Sequence, residues 1–200
     1  IESLSFANNQ IKQLKLPKTI EEIKRNAFDD NQIELLDLSQ YIHLKYIGDY
    51  SFRSNQIKQL KLPINIIKIE DDSFRHNQIE ILDLSNCIKL KKIGEYAFEI
   101  NKIKQLKLPK NIKIVGNFAF YSNQIEILDL SKYMFLDEIF YYAFSSNPLK
   151  EIKILGNIEI EYEDYYKKDM WNEFAIYYND NNKKEGNYKL ENNEWKWYPL

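Results

Sequence analysis

The chain has 200 residues, 44% of them hydrophobic, with 28 basic and 30 acidic side chains and a formal charge of −2. An apolar share of that size supports a folded core, and the near-balance of charge supplies no overall pull toward nucleic acid or an acidic membrane. The single cysteine, Cys87, excludes an internal disulfide, and no run of about 18 apolar residues is present to insert into a membrane as a helix.

In chain order, one short phrase returns seven times: a Phe, two residues, an Asn, one residue, then Ile or Leu opening an alternating run. The Phe members are Phe6, Phe28, Phe52, Phe74, Phe98, Phe120 and Phe144, and the Asn members are Asn9, Asn31, Asn55, Asn77, Asn101, Asn123 and Asn147. Spacings alternate 22 and 24, so two unit types take turns in a superperiod of 46. One type continues into Leu-Pro (Leu16-Pro17, Leu62-Pro63, Leu108-Pro109), the other into Leu-Asp-Leu-Ser (Leu36 to Ser39, Leu82 to Ser85, Leu128 to Ser131). A fixed period in the twenties marks a solenoid, where a unit buries its apolar face only by stacking on its neighbours.

Within a unit, Ile11, Leu14 and Leu16 show the L-x-x-L-x-L cadence of a leucine-rich repeat strand, repeated six further times as far as Leu149, Ile152 and Ile154. Each strand is expected to pair in parallel with its neighbours. A second apolar set lies on the return path: Ile20, Ile23, Ala27 and Phe28 in the first complete unit, with equivalents in every later one. The small residue before each Phe predicts a tight turn that admits the ring to the core. The repeated Asn is expected to form a ladder whose amides satisfy backbone groups of adjacent turns, since a buried amide without partners is costly. Ile1 stands five before Phe6 as Ile23 stands five before Phe28. The chain therefore reads as starting inside a unit, with further repeats and any export signal upstream. An unpaired first strand would favour edge-to-edge self-association.

The pattern I-x-x-I-x-x-x-A-F (Ile20, Ile23, Ala27, Phe28), a polar position at Asn31 and a strand ending in Leu16-Pro17 resembles the BspA-like leucine-rich repeat proteins of bacterial cell surfaces. The resemblance covers residues 1–156. It departs from the family in carrying Asn where many members have Cys, and in the alternate Leu-Asp-Leu-Ser units. It implies a right-handed coil with a parallel β-sheet on the concave face. It also implies a non-enzymatic module without cofactors that binds a host or matrix protein from a surface or secreted position; a cytoplasmic location and a ligand-free structural spacer are the alternatives.

The candidate partner face is formed by two outward strand columns. One reads Lys15, Asp37, Lys61, Asp83, Lys107, Asp129, Lys153, alternating in sign at every step; the other reads Gln13, Leu35, Gln59, Ile81, Gln105, Ile127, Glu151. The first predicts a neutral charge ladder with each Lys in reach of Asp neighbours. The second places Leu35, Ile81 and Ile127 as apolar anchors between amides. His43 and His76 fall at freely varying positions, and Cys87 aligns with Tyr41 and Tyr133 as a filler. Glu159, Glu161, Glu163 and Asp164 lack the spacing of a calcium loop, and no glycine-rich phosphate loop occurs.

Periodicity stops after Gly156-Asn157. Residues 157–200 are expected to cap the stack. A helix would start at an Asp164 cap and run to about Tyr178, with Met170, Phe174, Tyr177 and Tyr178 on one side. A hairpin would pair Tyr188–Leu190 with Trp195–Trp197 around Asn192-Asn193. The tail (Phe174, Tyr177, Tyr178, Lys183, Lys184, Gly186, Tyr188, Trp195) also resembles the module that follows the repeats in some such surface proteins.

Overall fold

The computed structural model describes residues 1–163 and 169–200; Asp164 lies outside the described residues. In chain order the strands are β1 (Glu22–Ile23), β2 (Leu35–Asp37), β3 (Tyr46–Ile47), β4 (Gln59–Lys61), β5 (Lys68–Ile69), β6 (Ile81–Asp83), β7 (Lys92–Ile93) and β8 (Gln105–Lys107). There follow β9 (Ile114–Val115), β10 (Ile127–Asp129), β11 (Glu138–Ile139), β12 (Glu151–Ile154), β13 (Glu159–Ile160), helix α1 (Met170–Asp180), β14 (Gly186–Glu191) and β15 (Glu194–Tyr198). The odd-numbered strands from β1 to β13 form one continuous seven-stranded parallel sheet along the return path. The even-numbered strands from β2 to β12 form the second face. The chain thus winds as a stack of flat coils, as the repeat predicts, between the return-path sheet and a strand face that is divided between β8 and β10.

The return-path sheet is formed at the apolar positions of the return path, for which the repeat predicts no strand. Each of its strands is two residues long, too short to show an alternating pattern. Buried Ile23, Ile47, Ile69, Ile93, Val115 and Ile139 point inward from it. They meet the inward members of the opposite face, such as Leu36, Leu82 and Leu128.

The Phe turn is knitted to the next coil through alternate N–H groups: Asn26, Phe28 and Asp30 donate to the carbonyls of Asp49, Ser51 and Arg53 at 2.8–2.9 Å. Holding that geometry requires two left-handed residues per coil, one on each side of the ring. Asn26 and Asp30 (φ 54° and 53°) bracket Phe28, and Tyr96 and Ile100 (φ 54° and 51°) bracket Phe98. Asn and Asp tolerate this region, whereas a β-branched residue such as Ile100 is strained there. The rings stack down the core at 5.2–5.6 Å between centroids, with nearly parallel planes, from Phe6 to Phe144. Ala27, Ala97, Ala119 and Ala143, with Ser51 and Ser73 in the same column, leave the room for them.

The Asn ladder is present as expected. Asn77 accepts from the Ile57 N–H at 3.0 Å and donates to the Phe52 carbonyl at 2.9 Å, one coil back, and to its own coil's Phe74 carbonyl at 3.2 Å. Asn31, Asn55, Asn101, Asn123 and Asn147 repeat the arrangement. Asn9 is exposed, and its side chain makes a local bond to the Ala7 carbonyl.

The tail closes the ring column, the turn ladder and the strand face. Trp171 follows Phe144 in the ring column at 5.0 Å. The Asp169 carboxylate accepts from the Ser146 N–H, where earlier coils offer the next coil's carbonyl. The same side chain caps α1, accepting from the N–H groups of Trp171 and Asn172. This cap lies five residues beyond the expected one, and the buried stripe shifts with it: Trp171, Phe174, Ala175 and Tyr178 face inward, while Met170 is exposed. On the other face β14 pairs antiparallel with β12, and β15 completes the hairpin through Asn192 and Asn193, both left-handed.

Candidate protein-binding face

On the even-numbered strands the backbone alternates exposed, buried, exposed. Leu36, Leu60, Leu82, Leu128 and Ile152 are therefore buried, and the two predicted columns point outward. Leu35, Ile81 and Ile127 are 62%, 57% and 59% exposed. Gln13, Gln59 and Gln105 are exposed between them in the same column, and Glu151 ends it half-buried. Lys15, Asp37, Lys61, Asp83 and Lys107 are exposed, and Asp129 and Lys153 are half-buried. All fourteen lie on one surface.

The expected continuous charge ladder is instead a row of separate pairs. Long steps of 24 residues carry Asp37–Lys61 at 3.5 Å and Asp83–Lys107 at 2.9 Å. A neighbouring column, unremarked in the sequence reading, adds Glu34–Lys58, Glu80–Lys104 and Glu126–Lys150 at 2.8–3.6 Å across the same steps. Among the described residues no ion pair spans Lys15 to Asp37, Lys61 to Asp83 or Lys107 to Asp129. Asp129 turns to Lys132 instead, and Lys153 to Glu151.

The backbone explains this asymmetry. Long steps have three-residue parallel registers, β2 with β4, β6 with β8 and β10 with β12. Short steps of 22 residues are nearly unzipped: β4 meets β6 at one position only, β8 and β10 do not pair, and Ile11–Leu16 forms no strand against β2. In place of the next strand's carbonyl, the Leu16 N–H donates to the Tyr41 hydroxyl at 3.0 Å and the Leu108 N–H to the Tyr133 hydroxyl at 2.9 Å. Each phenol is wedged in where the next strand's carbonyl would stand, and it satisfies the donor. At the equivalent place in the middle of the chain Cys87 has no hydroxyl to offer, and there the single residue pair survives. Its thiol donates to the Pro63 carbonyl at 3.8 Å, and burial raises its pKa to about 11. The filler reading of Cys87 thus gains a physical meaning, and the Tyr that recurs after Leu-Asp-Leu-Ser was the signal that pointed to the wedge.

The Leu-Asp-Leu-Ser signature has its own role. Asp37, Asp83 and Asp129 each accept from the N–H and hydroxyl of the Ser two residues on, ending the strand in a side-chain turn. The Ser39 hydroxyl and then its N–H hold the Asp37 carboxyl below the usual range. At Asp83 and Asp129 partial burial works against ionisation, but the Ser bonds and the nearby Lys outweigh it, so both are also lowered.

Where β8 and β10 part, an open groove of about 660 Å³ has Gln105, Leu106, Lys107, Ile127, Asp129 and Pro148 among its lining. A second exposed apolar line, Ile42, Ile64, Ile88, Met134 and Phe135, follows the strands along one edge of the face. The remaining positions stand apart. His43 is exposed, and burial and then the Arg75 and Arg53 charges lower the pKa of His76. Glu159 pairs with Lys183, and Glu163 accepts from the Tyr142 hydroxyl. Among the described residues no group of three His, Cys, Asp or Glu side chains could hold a metal ion.

The BspA type Leucine rich repeat region matches in six copies over residues 1–98 and 82–194. The chain belongs to the BspA-type leucine-rich repeat family. BspA-type repeats generally build non-enzymatic folds, and proteins carrying them are often surface-associated. A leucine-rich repeat protein from Bacteroides ovatus is similar in structure at 17% identity and a TM-score of 0.44, covering 79% of this chain. This BspA-type chain spans about half the length of that protein, 47%. No curated protein matches it. Among the described residues no helix is long and apolar enough to cross a membrane.

Proposed function

We propose that this BspA-type segment is a non-enzymatic interaction module that binds a host or matrix protein at a bacterial surface, and that the β2–β12 strand face carries the contact. One observation supports the reading above others. Leu35, Ile81 and Ile127 stand exposed on a lattice of charges already paired with one another. Such a lattice has little field of its own to desolvate, so a partner gains chiefly by covering the aliphatic anchors, each contributing up to about 1.5–3 kcal/mol on full burial.

The test is biolayer interferometry of the 200-residue protein and its Leu35→Ser, Ile81→Ser, Ile127→Ser triple variant against purified extracellular-matrix proteins. All three side chains are exposed, so the variant should keep its circular-dichroism melt. Binding that falls at least tenfold in the variant supports the proposal. Binding that is absent, or untouched by the substitutions, assigns the segment to a spacer role.

A further inference from the structure

The exposed aliphatic column has a length scale. Leu35, Ile81 and Ile127 are 46 residues apart, which is two coils. Adjacent parallel strands lie about 4.8 Å apart, so two coils rise at least about 9.6 Å. The stacked Phe28, Phe52 and Phe74 rings, at 5.3 and 5.5 Å, allow little more than that. Successive anchors therefore stand about 10–11 Å apart, three in a line about 20 Å long. The amides of Gln59 and Gln105 fill the intervening rungs.

Only one regular backbone presents side chains on a single face at that interval. An extended strand repeats each face about every 6.7 Å, and its next repeat overshoots to about 13 Å. A polyproline II helix returns to the same side after about 9.3 Å, which falls short at each step. An α-helix rises about 10.5 Å in seven residues and comes back to within about 20° of the same face.

The charges keep the same beat. Glu34–Lys58 and Asp37–Lys61 flank Leu35, and Glu80–Lys104 and Asp83–Lys107 flank Ile81 in the same arrangement. A helix with both signs beside its apolar stripe meets the same arrangement at Leu35 and Ile81; at Ile127 the Glu126–Lys150 pair repeats, while Asp129 pairs with Lys132.

We infer that the strand face takes an amphipathic α-helix laid along the solenoid axis, with one aliphatic residue per heptad on each of Leu35, Ile81 and Ile127. This rests on reading that face as a protein-binding surface. A helix of about 15–20 residues covers all three anchors, and contact of that size gives a weak, exchanging complex.

The probe is a fluorescein-labelled helical peptide of about 21 residues, Ala-rich, with one Leu per heptad and Glu and Lys beside it. Its comparator has the same composition with the Leu residues five apart, which scatters them around the helix. Fluorescence anisotropy should show the heptad peptide binding about tenfold tighter than the comparator. Ile81→Ser should lose about tenfold of that affinity, while Ile64→Ser, on the edge line outside the column, should change nothing. Equal binding of the two peptides, indifference to Ile81→Ser, or no binding of either overturns the helix. If matrix-protein binding still depends on the three anchors while the peptides fail, only the helical partner is rejected. If both fail, the binding face is rejected with it.

Discussion

Replacing Asn77 by Ala tests the main link between coils. The side chain is 7% exposed and serves both directions of the ladder. It accepts from the buried Ile57 at 3.0 Å and donates to the Phe52, Phe74 and Arg75 carbonyls at 2.9, 3.2 and 3.3 Å. Alanine leaves the buried Ile57 N–H without its partner, a penalty of about 1–3 kcal/mol. Loss of the donations to Phe52 and Phe74 adds about 1 kcal/mol each, giving a total of about 3–5 kcal/mol. That is a large part of the stability of an ordinary domain, about 5–15 kcal/mol. Urea unfolding followed by circular dichroism measures it. Asn9→Ala is the internal control, because the Asn9 side chain is exposed and donates to the Ala7 carbonyl of its own coil; its cost should stay below about 0.5 kcal/mol. If the two substitutions cost the same, or if Asn77→Ala is silent, the amide ladder does not hold the coils together.

Ile100→Asn should raise the urea midpoint, with a gain of about 1 kcal/mol, because Ile100 holds φ at 51° with its side chain at the surface; a lowered midpoint would refute the strain argument. Tyr133→Phe should cost about 1–2 kcal/mol by orphaning the Leu108 N–H, and should speed hydrogen exchange at that amide; unchanged exchange would show that the phenol is no wedge. The carboxyls of Asp37, Asp83 and Asp129 titrate below their ordinary range in the folded chain. A depressed carboxyl stabilises above its unfolded pKa, near 3.9, and loses that contribution as pH falls through the folded value. The Ser39→Ala, Ser85→Ala, Ser131→Ala variant should therefore melt lower than wild type at pH 6 and close that gap between about pH 4 and 2; a gap independent of pH would sink the assignment.

Much of this architecture was legible in the repeat itself. A Phe and an Asn at fixed offsets in every unit have one simple physical solution, stacked rings beside a ladder of amides, and both are present. The outward columns followed from strand alternation alone. The return-path sheet escaped notice because two residues cannot display a period. The direction of ion pairing was hidden for a different reason. Alternating Lys and Asp look symmetric in a list of residues, and nothing in that list says that the 24-residue steps hold three-residue registers while the 22-residue steps do not. The 22/24 alternation already encoded that choice, without saying which step would zip. In the tail, Asp164 and Asp169 are both plausible caps by composition. Asp169 has the second task of receiving the Ser146 N–H, a requirement set by the preceding coil and invisible within the helix.

The pairing of strands in twos restricts how such a chain can change length. Inserting or deleting one unit would set two Leu-Pro strands, or two Leu-Asp-Leu-Ser strands, side by side. Lysine would then oppose lysine, and the phenol would lose its partner strand. Duplications that add or remove 46 residues keep the frame, so viable length variants of this chain should differ by whole two-unit blocks.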